Sequence, residues 1–283
     1  YEKGYIYRCF QSSEELRAKR ERQKALNMPP RYEREGLKLS EEEIAQRLAN
    51  NTPYVWRFKL PDTTISIHDL ARGTIEFDMQ HFGDFAITRQ DGSFTFLFAN
   101  FVDDHIMGIS HIFRGEDHLS NSALQAALYH AFNENLPHYY HLPIITNRDG
   151  KKLSKRDFGF MLTDLRESGF LPEAICNYLA ILGSSFEQEI MNFSELAENI
   201  HINKHSPTGT IRYDVDKLRW INHQWIQQLP PEDIARRVRP WIENTYESAK
   251  GIPHETLTKL CKTLQTDIET LYDTVNVFAF YFS

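Results

Sequence analysis

Apolar positions in this chain keep helical spacing at first, then alternate, then mix the two. Ser12 to Leu26 reads as a charged amphipathic helix, with Ser12 and Glu15 at capping-box spacing and Met28-Pro29-Pro30 as its stop. A second helix opens at Ser40, with Glu43 three residues on, and ends at Asn51-Thr52-Pro53. Val55 to Leu60, Thr74 to Asp78 and Phe85 to Thr88 alternate as strands do, and Gln90-Asp91-Gly92-Ser93 supplies a turn, which predicts an antiparallel β region. From Phe96 the pattern becomes apolar strand through Phe101-Val102, polar loop at Asp103-Asp104-His105, and strand again from Ile109 to Phe113. The loop Arg114 to His118 and a helix from Ser120 to Phe132 follow. Strand, loop and helix in that order predict an α/β sheet with binding residues at strand ends. Beyond Lys155 the chain reads as mostly helical, with helices from Pro172 to Leu182 and Asp216 to Trp225, and a last helical segment after Pro230-Pro231.

At 283 residues and 41% hydrophobic, the chain is long enough for about two domains. No run nears the ~18 consecutive apolar residues of a membrane span, so no membrane partner and a cytoplasmic location are expected. Cys9, Cys176 and Cys261 are odd in number and far apart, which suits free thiols in a reducing compartment. A net charge of −7 argues against a uniformly nucleic-acid-binding surface but leaves room for basic patches. Tyr1 at the start and the aromatic stretch Val277 to Phe282 at the end suggest that both ends were cut from a longer polypeptide.

The densest chemical signal is Gly150-Lys151-Lys152-Leu153-Ser154-Lys155-Arg156, which follows an Asp149-Gly150 turn. Four cations in a short glycine-led loop can surround a polyphosphate and stabilise a charged transition state. The bland alternative is a solvated basic turn.

Lys152 to Arg156 resembles the Lys-Met-Ser-Lys-Ser loop of class I aminoacyl-tRNA synthetases, in the Lys-Arg-ending variant that glutamate enzymes favour. Val102 to His118 is similar to the bacterial-type glutamyl-tRNA synthetases over an unbroken stretch. Gly169 to Ala174, Asn177-Tyr178-Leu179 and Asp216 to Asn222 fit the same family in order. The resemblance runs from about Gly4 to Asn222 and loosens after Pro230. It implies the second half of a Rossmann-like catalytic fold with an α+β acceptor-binding insert and a C-terminal helical region. The insert would occupy 1–95, the half-Rossmann fold 96–145, a stem-contact region with the basic loop 146–229, and the start of an anticodon-binding bundle 230–283.

The activity so implied is ATP-dependent activation of glutamate and its transfer to the 3′ end of tRNA(Glu), with L-glutamate, ATP and tRNA as partners of a monomer. By the same resemblance Lys155, helped by Lys152, is catalytic; Lys152, Leu153, Ser154, Lys155, Arg156 and His118 bind ATP. Arg114, Asn100 and Phe96 would bind glutamate, and an arginine fork suits a carboxylate because it can bond both oxygens. The alternative for Arg114 is a structural salt bridge to Glu116 or Asp117. Arg17, Lys19, Arg20, Arg22 and Lys24 form a dense basic helix in the insert and are candidates for tRNA, against the alternative of intrahelical ion pairs; Arg236, Arg237 and Arg239 are a second candidate group.

No metal site is read at Asp103-Asp104-His105, because neighbouring strand residues face opposite ways; a loop-ordering role is expected instead. Mg²⁺ is implied only as the companion of ATP.

Three departures stand out. Phe96 replaces the tyrosine that the family often places near the glutamate side chain. Only Cys9 remains of a Cys-x-Cys that begins a zinc site in some relatives, so no zinc is expected. The His-Ile-Gly-His-type ATP loop is absent, so the chain is expected not to complete adenylate formation alone. Remaining alternatives are a glutaminyl-tRNA synthetase, a paralogue that glutamylates the queuosine base of tRNA, and a non-catalytic tRNA-binding fragment.

Overall fold

The computed structural model describes residues 1–182, 186, 188–200 and 210–282, which form two compact units, Tyr1–Leu142 and Pro143–Ser283. In the first unit the chain runs β1 (Ile6–Cys9), α1 (Ser13–Ala25), α2 (Glu41–Ala49), β2 (Val55–Phe58), β3 (Thr64–Asp69), β4 (Gly73–Asp78) and β5 (Phe85–Ala86). It continues through α3 (Phe96–Ile106), β6 (His111–Gly115), α4 (Leu119–Phe132) and β7 (His138–Leu142). Both expected capping boxes are present: Ser12 with Glu15 starts α1, and Ser40 with Glu43 starts α2. Each satisfies N–H groups that an unfinished helix turn would otherwise leave without partners.

Two sheets form this unit. β1, β2 and β5 make an antiparallel three-stranded sheet. Its organiser is the buried Asp84, whose carboxylate accepts from the Tyr7 hydroxyl at 2.7 Å, the Leu60 N–H at 2.9 Å and Arg34 Nε at 3.1 Å. The second sheet has the order β4-β3-β7-β6, with β3 antiparallel to β4 and parallel to β7, and β6 parallel to β7. Residues from both 1–95 and 96–145 therefore share one sheet. Ile65 and Ile67 of β3, Tyr139 of β7, Phe101 of α3 and Leu128 of α4 close a common core.

The strand expected through Phe101-Val102 is the helix α3, and Asp103, Asp104 and His105 occupy its last turns rather than a loop. The run Phe94 to Val102 is apolar on nearly every position, so period alone could not separate the two states. Packing decides: Phe101 is buried and meets Tyr129 of α4 edge-on with ring centroids 4.9 Å apart. Three strands of this unit went unread: β1, β3, whose side chains alternate out and in along its length, and β7.

The second unit opens with β8 (Ile145–Thr146), followed by α5 (Leu162–Glu167), α6 (Pro172–Ile181), α7 (Phe193–Asn199), β9 (Ile211–Arg212) and α8 (Val215–Gln228). It ends with α9 (Pro231–Thr245), α10 (His254–Leu264), α11 (Asp273–Val277) and α12 (Ala279–Phe282). Pro172 and Pro231 stand in the first helical turn, where the missing N–H is not needed. Leu171, Tyr178, Leu218, Ile221, Ile226 and Phe278 lie at the centre of this unit.

Two motif asparagines clamp that core. Asn222 accepts from the Leu171 N–H at 2.7 Å and donates to the Glu269 carbonyl at 2.6 Å; Asn177 accepts from the Met191 N–H at 3.1 Å and from Trp225 Nε1 at 3.0 Å. The C-terminal aromatics are not uniformly exposed, since Phe278 and Phe282 are buried while Phe280 and Tyr281 face outward. The thiols of Cys9 and Cys261 are buried, Cys176 is exposed, and all three are free. Among the described residues no helix is long and apolar enough to cross a membrane.

Gly169 holds φ at +81°, and a Cβ there would lie 2.3 Å from the backbone nitrogen of Tyr272. Its carbonyl also accepts the Leu271 N–H at 2.9 Å, so the two segments cannot simply part. Gly169→Ala should therefore lower unfolding stability by about 2 kcal/mol or more, combining backbone strain with overpacking. Urea denaturation checks this, and a loss under 0.5 kcal/mol on the order of an ordinary surface change would contradict the close packing.

Candidate active site

In the first unit Phe96, Asn100 and Asp104 follow one another at four-residue spacing, which puts them on one face of α3. Phe96 is exposed in the first turn. Asn100 accepts a 2.6 Å hydrogen bond from Gln125 Nε2 on α4. Asp104 is half-buried, and burial raises its carboxyl above the ordinary range while the charge of Arg114 opposes that rise.

Arg114 comes from β6 and is half-buried. Its Nη2 donates to the Ser122 hydroxyl, its Nε points at His141 Nε2 at 3.5 Å, and its guanidinium lies 5.3 Å from the centre of the Tyr139 ring. Burial depresses its basicity, with Tyr139 and Asp104 acting the other way. Glu116, one of the two acids expected as alternative partners, pairs with Arg72. Nη1 of Arg114 has no hydrogen-bond partner among the described residues, so one edge of the guanidinium fork remains available to an incoming anion. The buried hydroxyls of Tyr129 and Tyr139 and Oε1 of Gln125 likewise have no hydrogen-bond partner among those residues. Buried polar atoms of this kind call for a ligand or water.

His118 stands where the single turn Glu116–His118 enters α4; its Nδ1 lies 3.1 Å from the Asn121 amide, and its carbonyl is 3.4 Å from the Ser122 hydroxyl.

In the second unit the basic segment is a hairpin. Thr146 bridges Lys152 antiparallel, and the Asn147 N–H donates to the Lys151 carbonyl at 2.8 Å. Gly150 turns the chain with φ +76°, and the Asn147 side chain accepts from the N–H groups of Asp149 and Lys151. Leu153 packs into the helical core while Lys152, Ser154, Lys155 and Arg156 are exposed. The carboxylate of Asp157 locks the far end: it accepts from the Ser154 N–H at 2.8 Å, the Ser154 hydroxyl at 2.9 Å and the Asn147 amide at 3.1 Å. Those bonds, led by that from Asn147, hold its pKa below the usual carboxylate range. The result is an anchored turn that presents cations to solvent, a form suited to mobile phosphates.

The basic helix α1 divides its charges. Lys19 pairs with Glu35 and Lys24 with Glu21, whereas Arg17, Arg20 and Arg22 are exposed with no partner among the described residues. Its hold on the unit is polar, through buried Gln23, which exchanges hydrogen bonds with the Arg31 backbone at 3.0 Å in both directions. Arg236, Arg237 and Arg239 are each engaged, with Asp233, Glu173 and Glu243.

Asp103 and His105 are exposed and Asp104 half-buried, and no grouping of three His, Cys, Asp or Glu among the described residues could hold a metal ion. Sequence reasoning did not find Asp69, Ser122, Tyr139, His141 or Asp157. The Ser154-x-x-Asp157 spacing was a usable signal for the last; the others converge from positions up to 72 residues apart.

The first unit thus carries a half-buried arginine on a parallel strand pair, and the second a cationic turn of a form suited to phosphates. Residues 1–220 match the family described as tRNA synthetases class I (E and Q), catalytic domain, and the chain belongs to that family. It is 36% identical to a glutamate–tRNA ligase from Finegoldia magna over 99% of its own length and 58% of that protein. It is 37% identical to the enzyme of the same name from Acinetobacter baylyi, over 100% and 55% of the two lengths. The crystal structure of a glutamate tRNA ligase from Elizabethkingia meningosepticum, solved with its amino acid, superposes with a TM-score of 0.86 at 31% identity, covering 99% of this chain and 61% of that one. The fold is thus the class I synthetase α/β fold, and the chain spans about half the length of the curated relatives it matches.

Asp157→Asn should loosen the 151–157 turn, because an amide presents a donor where three donors already converge. Amide hydrogen exchange of Lys151 to Asp157 should accelerate by roughly tenfold, the loss of one to two hydrogen bonds. In the unaltered chain the folded-state pKa of Asp157 is lowered, so this support is fully present above the ordinary carboxylate range and is lost as pH falls on through the lowered folded-state value. Unchanged exchange in the variant would remove Asp157 as the lock.

Proposed function

We propose that this chain is the part of a glutamate–tRNA ligase that holds glutamate, meets the phosphates of ATP and contacts the acceptor end of tRNA(Glu). The observation that carries the reading is the half-buried Arg114, bonded to the neutral groups of Ser122 and His141 and, among the described residues, to no carboxylate, with Nη1 left to receive an anion. The names of the relatives support glutamate as the amino acid. Asn100 and the exposed ring of Phe96 share a face of α3 and complete the proposed glutamate contacts, Phe96 without the hydroxyl a tyrosine would add.

In the proposed reaction a glutamate carboxylate oxygen attacks the α-phosphorus of ATP, the bond to the β-phosphate oxygen breaks, and pyrophosphate leaves. A ribose hydroxyl at the 3′ end of tRNA then attacks the acyl carbon and AMP departs. Lys155, with Lys152, stabilises the negative charge spreading over the phosphates in the first step. Ser154 and Arg156 belong to the same turn, Leu153 tethers it to the core, and His118 is assigned to the nucleotide. The turn offers cations rather than carboxylates, so Mg²⁺ would be held by the ATP phosphates and would supply further neutralisation of their charge. Arg17, Arg20 and Arg22, with Lys19 and Lys24 partly committed to ion pairs, would meet the tRNA backbone with a salt-dependent affinity. The four segments 1–95, 96–145, 146–229 and 230–283 are assigned to acceptor binding, amino-acid and nucleotide binding, stem contact and the start of anticodon binding. The protein is placed in the cytoplasm as a monomer without zinc.

The deciding experiment is glutamate- and tRNA-dependent ATP–pyrophosphate exchange, followed by charging of tRNA(Glu), in the whole protein that contains this chain. Binding of tRNA without either reaction would favour a non-catalytic role, and charging with glutamine instead would move it to the glutaminyl branch. Lys155→Ala should lower the exchange rate by roughly 10² to 10³, the scale of losing one preorganised charge; a change under about threefold would refute its role. Arg114→Lys should raise the KM for glutamate by about tenfold or more and leave the KM for ATP unchanged, because an ammonium cannot make the paired bonds of a guanidinium. The opposite split would show that Arg114 serves the nucleotide.

A further inference from the structure

Arg114 is the outer end of a buried chain of side chains that begins at Asp69. Asp69, Ser122 and His141 are all fully buried. The Asp69 carboxylate accepts four N–H groups: Oδ1 takes those of Ala71 and Arg72 at 2.9 Å each, and Oδ2 takes the backbone N–H and the Nδ1 of His141 at 3.0 and 2.6 Å. An oxygen pair surrounded by donors dictates that His141 Nδ1 carries the proton. Nε2 is then an acceptor, and the Ser122 hydroxyl, 2.7 Å away, donates to it in preference to the more distant His118 carbonyl at 3.4 Å. With its hydrogen so directed, the Ser122 oxygen turns its lone pairs to Arg114 Nη2.

We infer that Asp69, His141 and Ser122 are positioning residues that aim the Arg114 guanidinium at the substrate carboxylate. Each link forces the hydrogen-bond polarity of the next, so Arg114 has one satisfied orientation although it bonds no carboxylate among the described residues. Burial also disfavours a charged imidazole at His141, as do the nearby charges of Arg114 and Arg72, while Asp69 opposes them. A neutral ring spares Arg114 a like charge 3.5 Å from its Nε. The order Ser, His, Asp does not make a hydrolytic centre here: the Ser122 oxygen is buried and already accepts an arginine N–H, so no substrate carbonyl can reach it.

This role rests on Arg114 being the carboxylate-binding group, and the test separates the two. Ser122→Ala, Arg114→Lys and the double variant are compared in the whole protein by pyrophosphate exchange, with thermal unfolding recorded for each. Ser122→Ala should raise the KM for glutamate about tenfold, the scale of one hydrogen bond to a charged group, with the KM for ATP unchanged. In the Arg114→Lys background the same substitution should add less than about twofold, because the serine acts only through the arginine. If Ser122→Ala leaves the glutamate KM alone while Arg114→Lys raises it, or if the two losses multiply in full, the positioning role is wrong and the arginine assignment stands. If Arg114→Lys itself leaves the glutamate KM unchanged, both fall.

A second measurement is independent of activity: ¹⁵N NMR of the histidine side chains should find His141 neutral and protonated on Nδ1 at pH 7. The Nε2–H form or an imidazolium would overturn the relay, even where Ser122→Ala proves too unstable to assay.

Discussion

The buried carboxylate of Asp69 is the constraint around which the first unit is arranged. It closes the turn after β3 through two backbone N–H groups and captures both the backbone and the ring of His141 on β7. A carboxylate taken out of water is costly unless every lone pair is used, and here four donors use them. The parallel register of β6 with β7 then sets Arg114 beside His141. A backbone pairing and a side-chain polarity thus cooperate: the register brings the guanidinium within reach, and the proton on Nδ1 determines what it meets.

The second unit handles charge in the opposite way. Its cations lie on an exposed hairpin, where water screens them from one another, and partly buried Leu153 ties the tip to the core. Order comes from neutral and anionic groups at the base, Asn147 and Asp157, which bond the backbone of the turn. A rigid, desolvated arginine suits a small carboxylate of fixed shape, whereas mobile ammonium groups suit a phosphate chain that changes geometry as it reacts. Two cationic sites of different stiffness in one chain fit the proposed reaction, which joins a small acid to a nucleotide.

Features written in adjacent residues were legible without coordinates. Both capping boxes, the prolines that open α6 and α9, and the Asp149-Gly150 turn follow from local hydrogen-bond chemistry and fixed dihedral angles. The segment Phe96 to Ile106 was misread because an almost continuous apolar run satisfies strand and helix patterns alike. Reading it as a helix changes the site, since Phe96, Asn100 and Asp104 then share a face on which Asn100 bonds Gln125 of α4. The candidate roles of Lys155 and Arg114 came from motif spacing, but the groups that orient them did not: Asp157 lies just outside the motif, and Asp69, Ser122 and His141 come from three separate elements.

By itself, then, the amino-acid order determined several helix starts and turns, the α/β class, the family and the candidate side chains, because each depends on neighbours a few bonds apart or on a contiguous motif. Tertiary structure alone decided that α3 is a helix, which cations of α1 stay unpaired, and how Arg114 is held. Those outcomes turn on burial and on hydrogen bonds between residues dozens of positions apart, and such contacts have no energy until the chain has folded to bring them together.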